Sequence, residues 1–219
     1  MINNKKLYWV LMVVSMISFL GLVAAYPSLP ETVPTHWGFN GEIDGYSAKS
    51  TLLFMGLVPM ICTLLFVIVP KMDPKKENYA KHSKAYSVMC AFTVGFMILV
   101  TWMSVAAAMG YDIEVSMLVP IVIGVLFIVL GNYMPQIRQN YSFGIKTPWA
   151  IDNEYVWRKT HKFGGIVFCI MGIALVVFPF LPLSESFGMP FILGVIIGGT
   201  VLTYIYSWLV FKNQKQENK

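Results

Sequence analysis

The polar stretch ETVPTHWGFNGEIDGYSAK, residues 31–49, contains one histidine and three carboxylates. They lie within a span of fourteen residues: Glu31, His36, Glu42 and Asp44. Imidazole and carboxylate groups are ligands for zinc or manganese, and a His–Asp pair could also move protons for a substrate. The spacing matches no standard metal motif, and no nucleophile accompanies the pair. We therefore favour a hydrogen-bonding role for His36, and we assign the chain no metal, no cofactor and no enzymatic activity.

The rest of the chain is dominated by apolar residues. They make up 57% of the 219 residues, whereas 12% are charged, against about 25% in a soluble domain. A helix needs roughly 20 apolar residues to cross a bilayer. Six stretches approach or exceed that length without Asp, Glu, Lys, Arg or His: 7–25, 50–70, 85–109, 116–134, 164–182 and 190–211. We predict an all-α, polytopic membrane protein with six transmembrane helices.

Basic residues fall almost entirely on one set of alternating loops. Of sixteen Lys and Arg residues, fifteen lie in the N-terminal segment, the loops at 71–84 and 135–163, and the tail, and only Lys49 lies in the other set. Loops rich in Lys and Arg stay in the cytoplasm. We therefore predict that both termini are inside and that the loop at 26–49 is outside. This topology explains the net charge of +5, so the charge gives no support to a nucleic-acid partner. We expect membrane lipid as a partner and no nucleic acid.

The loop at 26–49 carries signals for an extended, exposed segment. Three prolines exclude a continuing helix: Pro27, Pro30 and Pro34. Asn40-Gly41 and Asp44-Gly45 are turn signals. Aromatic rings supply contact area and carboxylates supply orientation, so the loop suits a cationic or amphipathic ligand. The candidate ligand-binding residues are His36, Trp37, Asp44 and Tyr46. A loop that lies flat on the lipid headgroups is the alternative.

The loop at 135–163 shows helical patterns. Thr147-Pro148 is typical of an N-cap followed by proline at the first helical position, and Asp152 or Asn153 can cap a second short helix that runs to about Phe163. Three basic residues of that helix recur at helical spacing: Arg158, Lys159 and Lys162. Such a segment lies in the membrane interface. It is either a docking surface or a structural elbow between spans.

Both loops resemble one known family, the SdpI family. In the first loop, the following residues resemble the small membrane domain often found at the N-terminus of SdpI-type proteins: Pro34, His36, Trp37, Gly41, Asp44, Gly45, Tyr46 and Lys49. In the second, the following resemble the family signature: Gly131, Asn132, Asn140, the run 144–149, Val156, Trp157, Thr160 and His161. Lys146 departs from the pattern, because many members carry arginine there and lysine lacks its bidentate geometry.

The resemblance implies a multi-pass protein of the bacterial cytoplasmic membrane. It divides the chain into a two-span domain at 1–84 and an SdpI-type four-span region at 85–219. It implies immunity to a secreted peptide toxin that dissipates the proton gradient, and signalling by holding a soluble, ArsR-like transcriptional repressor at the membrane. The first loop then senses the toxin and the second docks the repressor. The docking candidates are Asn132, Asn140, Lys146, Trp149, Trp157, Arg158, Lys159 and His161.

Two other functions stay open at this point. A transporter or exporter of a small amphipathic molecule would use spans broken by proline, and three prolines are candidates for this role: Pro59, Pro120 and Pro179. The spans offer it no ionisable residue for proton or ion coupling. A membrane enzyme would use His36 and Asp44 as acid–base partners, brought together across the turns, but it lacks a nucleophile.

Overall fold

A computed structural model describes residues 5–38, 40–182 and 185–217, and helices dominate it. The helices are α1 (Lys5–Ala25), α2 (Ser50–Met72), α3 (Asn78–Lys81), α4 (Ser83–Ala108), α5 (Val115–Tyr133), α6 (Pro148–Asp152), α7 (Glu154–Val177) and α8 (Glu185–Glu217). All except α3 and α6 are long and apolar enough to cross a membrane. The predicted all-α, six-span class is confirmed, and the direction in which the chain crosses stays a prediction.

A two-stranded antiparallel hairpin, β1 (Thr32–Trp37) and β2 (Ile43–Ala48), follows α1. The predicted extended backbone is confirmed, and Asn40-Gly41 lies in the connecting turn, where Gly41 has a φ of +81° that favours glycine. The predicted turn at Asp44-Gly45 is wrong, because both residues lie inside β2. Gly45 instead faces His36, where an added Cβ would lie 2.8 Å from the His36 Cβ.

The two predicted helix caps are confirmed. The Thr147 hydroxyl accepts a hydrogen bond from the Ala150 N–H at 3.2 Å and begins α6. The Asn153 side chain accepts one from the Tyr155 N–H at 2.9 Å and begins α7. The prediction that this helix is short and ends near Phe163 is wrong, since α7 continues to Val177. Gly164 and Gly165, which follow Phe163, are buried residues inside α7 and do not end the helix.

Proline does not break the second and fourth spans. Pro59 lies within α2, and Pro120 lies within α5. Thr63 donates its hydroxyl to the Pro59 carbonyl at 2.8 Å, one turn further along the same helix. Pro179 lies in a 3-10 turn after α7. The discontinuous helices that a transporter reading requires are therefore not formed at Pro59 or Pro120.

The described residues group into two compact units, and each has its own apolar core. The hairpin unit comprises residues 5–68 and 87–119, and its core contains Leu22, Leu29, Val33, Leu52 and Val105. The loop unit comprises residues 69–86 and the described residues from 120 onward, and its core contains Ala85, Met134, Ile137, Ala150, Val156 and Trp157. The domain boundary between residues 84 and 85 stays a prediction.

In the loop unit, α5 and α7 touch through their backbones at two pairs of glycines. A Cβ on Gly131 would lie 2.6 Å from the Gly165 carbonyl oxygen, and a Cβ on Gly165 would lie 2.7 Å from the Gly131 carbonyl oxygen. Gly124 and Gly172 are in the same reciprocal contact one heptad away. Small residues are what permits such close approach of helices in a membrane.

We predict that Gly165→Ala lowers the stability of the protein by about 1–3 kcal/mol, because the added methyl group overpacks this contact. Gly198→Ala is the matched control, since a Cβ at Gly198 of α8 meets nothing within 4 Å. It should leave stability unchanged or slightly higher, as alanine favours a helix. Unfolding by detergent titration measures both variants, and equal effects would contradict the packing argument.

Candidate functional site

The hairpin brings together His36 and Asp44, two of the four residues predicted to bind a ligand. His36 Nδ1 donates to the Asp44 carboxylate at 2.5 Å, and both side chains are largely exposed. The bulge between Pro34 and Trp37 sets His36 opposite Gly45 and beside Asp44. The expectation that two residues eight apart meet across the turns is confirmed. The pair orients a carboxylate at the surface.

The two predicted aromatic residues flank this pair along the strands. Tyr46 follows Asp44 in β2 and is 63% exposed, and Trp37 follows His36 in β1 and is half-buried. Phe39, another aromatic residue of this loop, lies outside the described residues. An exposed ring beside an oriented carboxylate can bind a group that is both apolar and cationic.

The remaining hairpin carboxylates have local partners. The Asn40 side chain donates to Glu42 at 2.7 Å, and Lys49 pairs with Glu31 at 3.0 Å. Among the residues that the structure describes, no three His, Cys, Asp or Glu side chains converge to hold a metal ion. The hairpin therefore offers hydrogen-bonding and charged groups for recognition.

In the loop unit, the centre of the second site is Asp73, which sequence reasoning missed. Asp73 is 4% exposed, and both oxygens of its carboxylate accept backbone N–H groups. Lys75 donates to Oδ1 at 2.8 Å, and Tyr141 donates to Oδ2 at 2.9 Å. The hydroxyls of Tyr79 and Ser142 also donate to Oδ2, at 2.9 and 2.8 Å. Asp73 thus fastens residues 137–147, here called the polar loop, to the segment after α2.

This environment keeps Asp73 ionised. Burial raises the pKa of its carboxyl, but the four hydrogen bonds favour the charged form and hold the pKa below its usual range. A buried carboxylate is costly unless it is fully hydrogen-bonded. Because Asp73 has four donors, it is an organising group for the polar loop.

Two amides inside the polar loop complete its framework. Asn140 accepts from the Ser142 and Phe143 N–H groups at 2.9 and 2.7 Å, which closes a local turn. Gln139 donates to the Ala150 and Ile151 carbonyls at 3.0 and 2.7 Å. The Gln139 oxygen accepts from the Lys75 ammonium group. Asn140, predicted as a docking residue, is buried and positions the loop from within.

Two buried histidines hold the ends of the polar loop. His82 Nδ1 accepts from the Arg138 N–H at 3.1 Å, so Nε2 carries the proton. Burial lowers the pKa of His82 to about 4, which keeps it neutral at physiological pH. His161 Nε2 accepts from the Ile145 N–H at 3.0 Å, and Nδ1 donates to the Trp157 carbonyl at 2.9 Å. Each ring accepts a backbone N–H, which only a neutral imidazole can do.

Gly144 and Trp157 fit around His161. Gly144 has a φ of +114°, and a Cβ there would lie 2.5 Å from His161 Nε2. The Trp157 ring stacks on His161 at 4.1 Å, and its Nε1 donates to the Ile137 carbonyl at 2.9 Å. Trp157 and His161 are fully buried. The structure therefore places these two predicted docking residues beneath the loop and leaves them no surface for a partner.

The other predicted docking residues lie at or near the surface. Lys146 donates to the Ser142 carbonyl at 3.2 Å and stays exposed. Trp149 is half-buried and packs edge-on against Tyr204 at 5.1 Å. Three more are exposed: Asn132, Arg158 and Lys159. The structure thus separates a buried group that builds the loop from an exposed, mostly basic group around it.

Comparison with known proteins identifies both regions. Residues 136–207 match the SdpI/YfhL protein family, and residues 13–61 match a domain of unknown function, DUF1648. The resemblance seen in the sequence is confirmed for both regions, and the hairpin and the polar loop lie within the matched ranges. The SdpI region and the six apolar helices make this chain a multi-pass bacterial membrane protein.

Two relatives show how far the similarity extends. The chain is 25% identical to Immunity protein SdpI of Bacillus subtilis (strain 168) over 165 residues, which are 75% of this chain and 77% of that protein. It is 40% identical to an uncharacterized protein of Archaeoglobus fulgidus over 47 residues, 22% of this chain and 26% of that protein. No solved structure matches the chain.

We predict that Asp73→Asn opens the polar loop. Both carboxylate oxygens accept a backbone N–H, so the amide NH₂ of asparagine must face a donor and leave it unpaired. Such a loss costs about 1–3 kcal/mol. Hydrogen exchange of residues 137–147 and tryptic cleavage after Arg138 should both accelerate. The matched control is Asp152→Asn, an exposed carboxylate in α6, and unchanged exchange in the Asp73 variant would refute the anchoring role.

Proposed function

We propose that this chain is a non-enzymatic membrane immunity protein that protects its cell against a secreted antimicrobial peptide toxin. The observation that carries the proposal is the relation to Immunity protein SdpI of Bacillus subtilis along 75% of the chain. The hairpin and the polar loop both lie within the matched ranges, 13–61 and 136–207. The site chemistry supports recognition, since the hairpin presents the exposed His36–Asp44 pair and the exposed Tyr46 ring.

In this proposal the hairpin binds the toxin. The positive-inside pattern predicts that the hairpin lies outside, where a secreted peptide arrives. Asp44 is held by His36 and remains exposed, and Tyr46 is exposed beside it. Carboxylates attract a basic peptide over a range of about 8–10 Å at physiological salt, and the aromatic ring provides area for its apolar side chains. The hairpin would therefore attract the toxin electrostatically and also provide an apolar surface that contacts it.

The polar loop is proposed to transmit the binding of the toxin to a partner in the cytoplasm. Its buried framework holds a fixed backbone, and exposed Lys146, Arg158 and Lys159 present positive charge around it. Such a surface suits an acidic face of a soluble partner, for which an ArsR-like repressor is the proposed candidate. A toxin can shift the loop only if it binds one conformation more tightly than another. Helix α2 offers a route, as it starts after β2 and ends at Met72, next to Asp73.

Export of a small amphipathic molecule is the competing function. It predicts toxin flux and a need for an energy source, whereas recognition needs neither. The continuous course of α2 and α5 through their prolines favours recognition, because discontinuous helices build the usual substrate sites. Transport of labelled toxin into energised and de-energised vesicles separates the two functions.

We predict that the intact gene preserves the membrane potential of a toxin-sensitive bacterium exposed to the peptide toxin. The triple variant Trp37→Ala/Asp44→Ala/Tyr46→Ala should lose this protection while it still reaches the membrane, because it removes the exposed contacts of the hairpin. A potential-sensitive dye gives the measurement, and immunoblotting of membranes confirms the protein level.

The matched control is Arg158→Ala/Lys159→Ala, which alters the exposed charge of α7 and should keep the protection. Its repressor-dependent transcription should fall instead. Collapse of the potential with the intact gene would refute immunity to that toxin. Normal protection by the triple variant would show that the hairpin is not the recognition surface.

A further inference from the structure

The hydrogen-bond pattern of the hairpin leaves one edge of β2 open. The Lys49 N–H donates to the Glu31 carbonyl at 2.9 Å, so these two residues form a hydrogen-bonded pair. Pairs alternate in an antiparallel ladder, and the register then makes Thr32–Ala48 and Pro34–Tyr46 non-hydrogen-bonded pairs. The backbone N–H and C=O groups of Tyr46 and Ala48 therefore point away from β1.

The opposite edge, on β1, is closed. Pro34 has no N–H group, and it occupies a position whose N–H would face outward. Val33 and Pro34 are buried, and Val33 belongs to the core of the hairpin unit. Proline on an edge strand is a common device against unwanted strand pairing. β2 contains no proline, and its residues are all exposed or half-exposed.

From this asymmetry we infer that β2 is a docking edge, on which an extended peptide adds as a third strand. The inference rests on the proposed function and specifies how the toxin is held. Main-chain hydrogen bonds to Tyr46 and Ala48 supply affinity, and alternate side chains of the peptide meet the two faces of the sheet. A two-stranded hairpin is marginal alone, and a third strand strengthens it.

Charge and side chains around this edge define the class of peptide. The loop at 26–49 contains three carboxylates and one lysine, and that lysine is already paired with Glu31. Asp44 and Tyr46, both exposed, stand on β2 itself. The edge therefore fits a basic peptide in extended conformation with an apolar residue that packs on the Tyr46 ring. An acidic or helical peptide does not fit.

Two proline substitutions test the edge directly. Ala48→Pro removes an N–H that points out of β2, at a position where proline is compatible with the hairpin. Thr32→Pro removes the equivalent N–H from β1, and Ala48→Val keeps the backbone and adds only side-chain volume. The probe is the peptide toxin of the membrane-potential assay, titrated onto the full-length protein in lipid nanodiscs.

Ala48→Pro should weaken toxin binding on the order of tenfold, the effect of one lost hydrogen bond, whereas Thr32→Pro and Ala48→Val should bind as the wild type does. With a ¹³C-labelled toxin carbonyl, the infrared amide band should move to a strand position on binding to the wild type. Equal binding by all variants, or a helical band, would overturn strand addition and leave immunity standing. A wild type that neither binds nor protects would overturn both.

Discussion

The loop unit depends on one buried carboxylate. Asp73 accepts four hydrogen bonds, and two of its donors, Tyr141 and Ser142, belong to a loop nearly seventy residues away in the chain. Burial of a charge is costly unless hydrogen bonds offset it, so an ionised Asp73 favours the one arrangement of the loop that supplies its donors. Asp73 lies between the two matched regions, 13–61 and 136–207. Asp73 therefore stabilises the polar loop of the SdpI-matched region, although Asp73 itself lies outside that region.

The two candidate sites are stabilised by different physical means. The polar loop has a buried framework in which neutral His82 and His161 accept backbone N–H groups, and this gives a fixed conformation. The hairpin is anchored by Val33, which is buried in the core of its unit, and its other face carries the exposed His36–Asp44 pair, a kind of interaction that contributes little to stability. The exposed face of the hairpin can therefore adjust to a ligand, whereas the polar loop can present a constant surface or change as a unit.

Local patterns in the sequence predicted the local features of the structure. Apolar runs predicted the six spans, Thr147 and Asn153 predicted the two caps, and Asn40-Gly41 predicted the hairpin turn. The turn predicted at Gly45 was wrong, because glycine is found where two strands approach closely as well as in turns. Asp73 was missed, since two of its four donors, on Tyr141 and Ser142, lie in a distant segment that no local spacing connects to it. The end of α7 was misplaced because Gly164 and Gly165, read as the start of a new span, are contact residues inside one helix.

We propose that the hairpin binds a ligand outside the cell while the polar loop faces the cytoplasm. Cysteine labelling tests it most directly. Tyr46→Cys and Lys159→Cys are introduced separately into a background whose Cys62, Cys90 and Cys169 are replaced by alanine, and intact cells are treated with a membrane-impermeant maleimide. The account predicts that Cys at position 46 is labelled at once and that Cys at position 159 is labelled only after the membrane is permeabilised. The reverse pattern would place the hairpin in the cytoplasm and contradict the account.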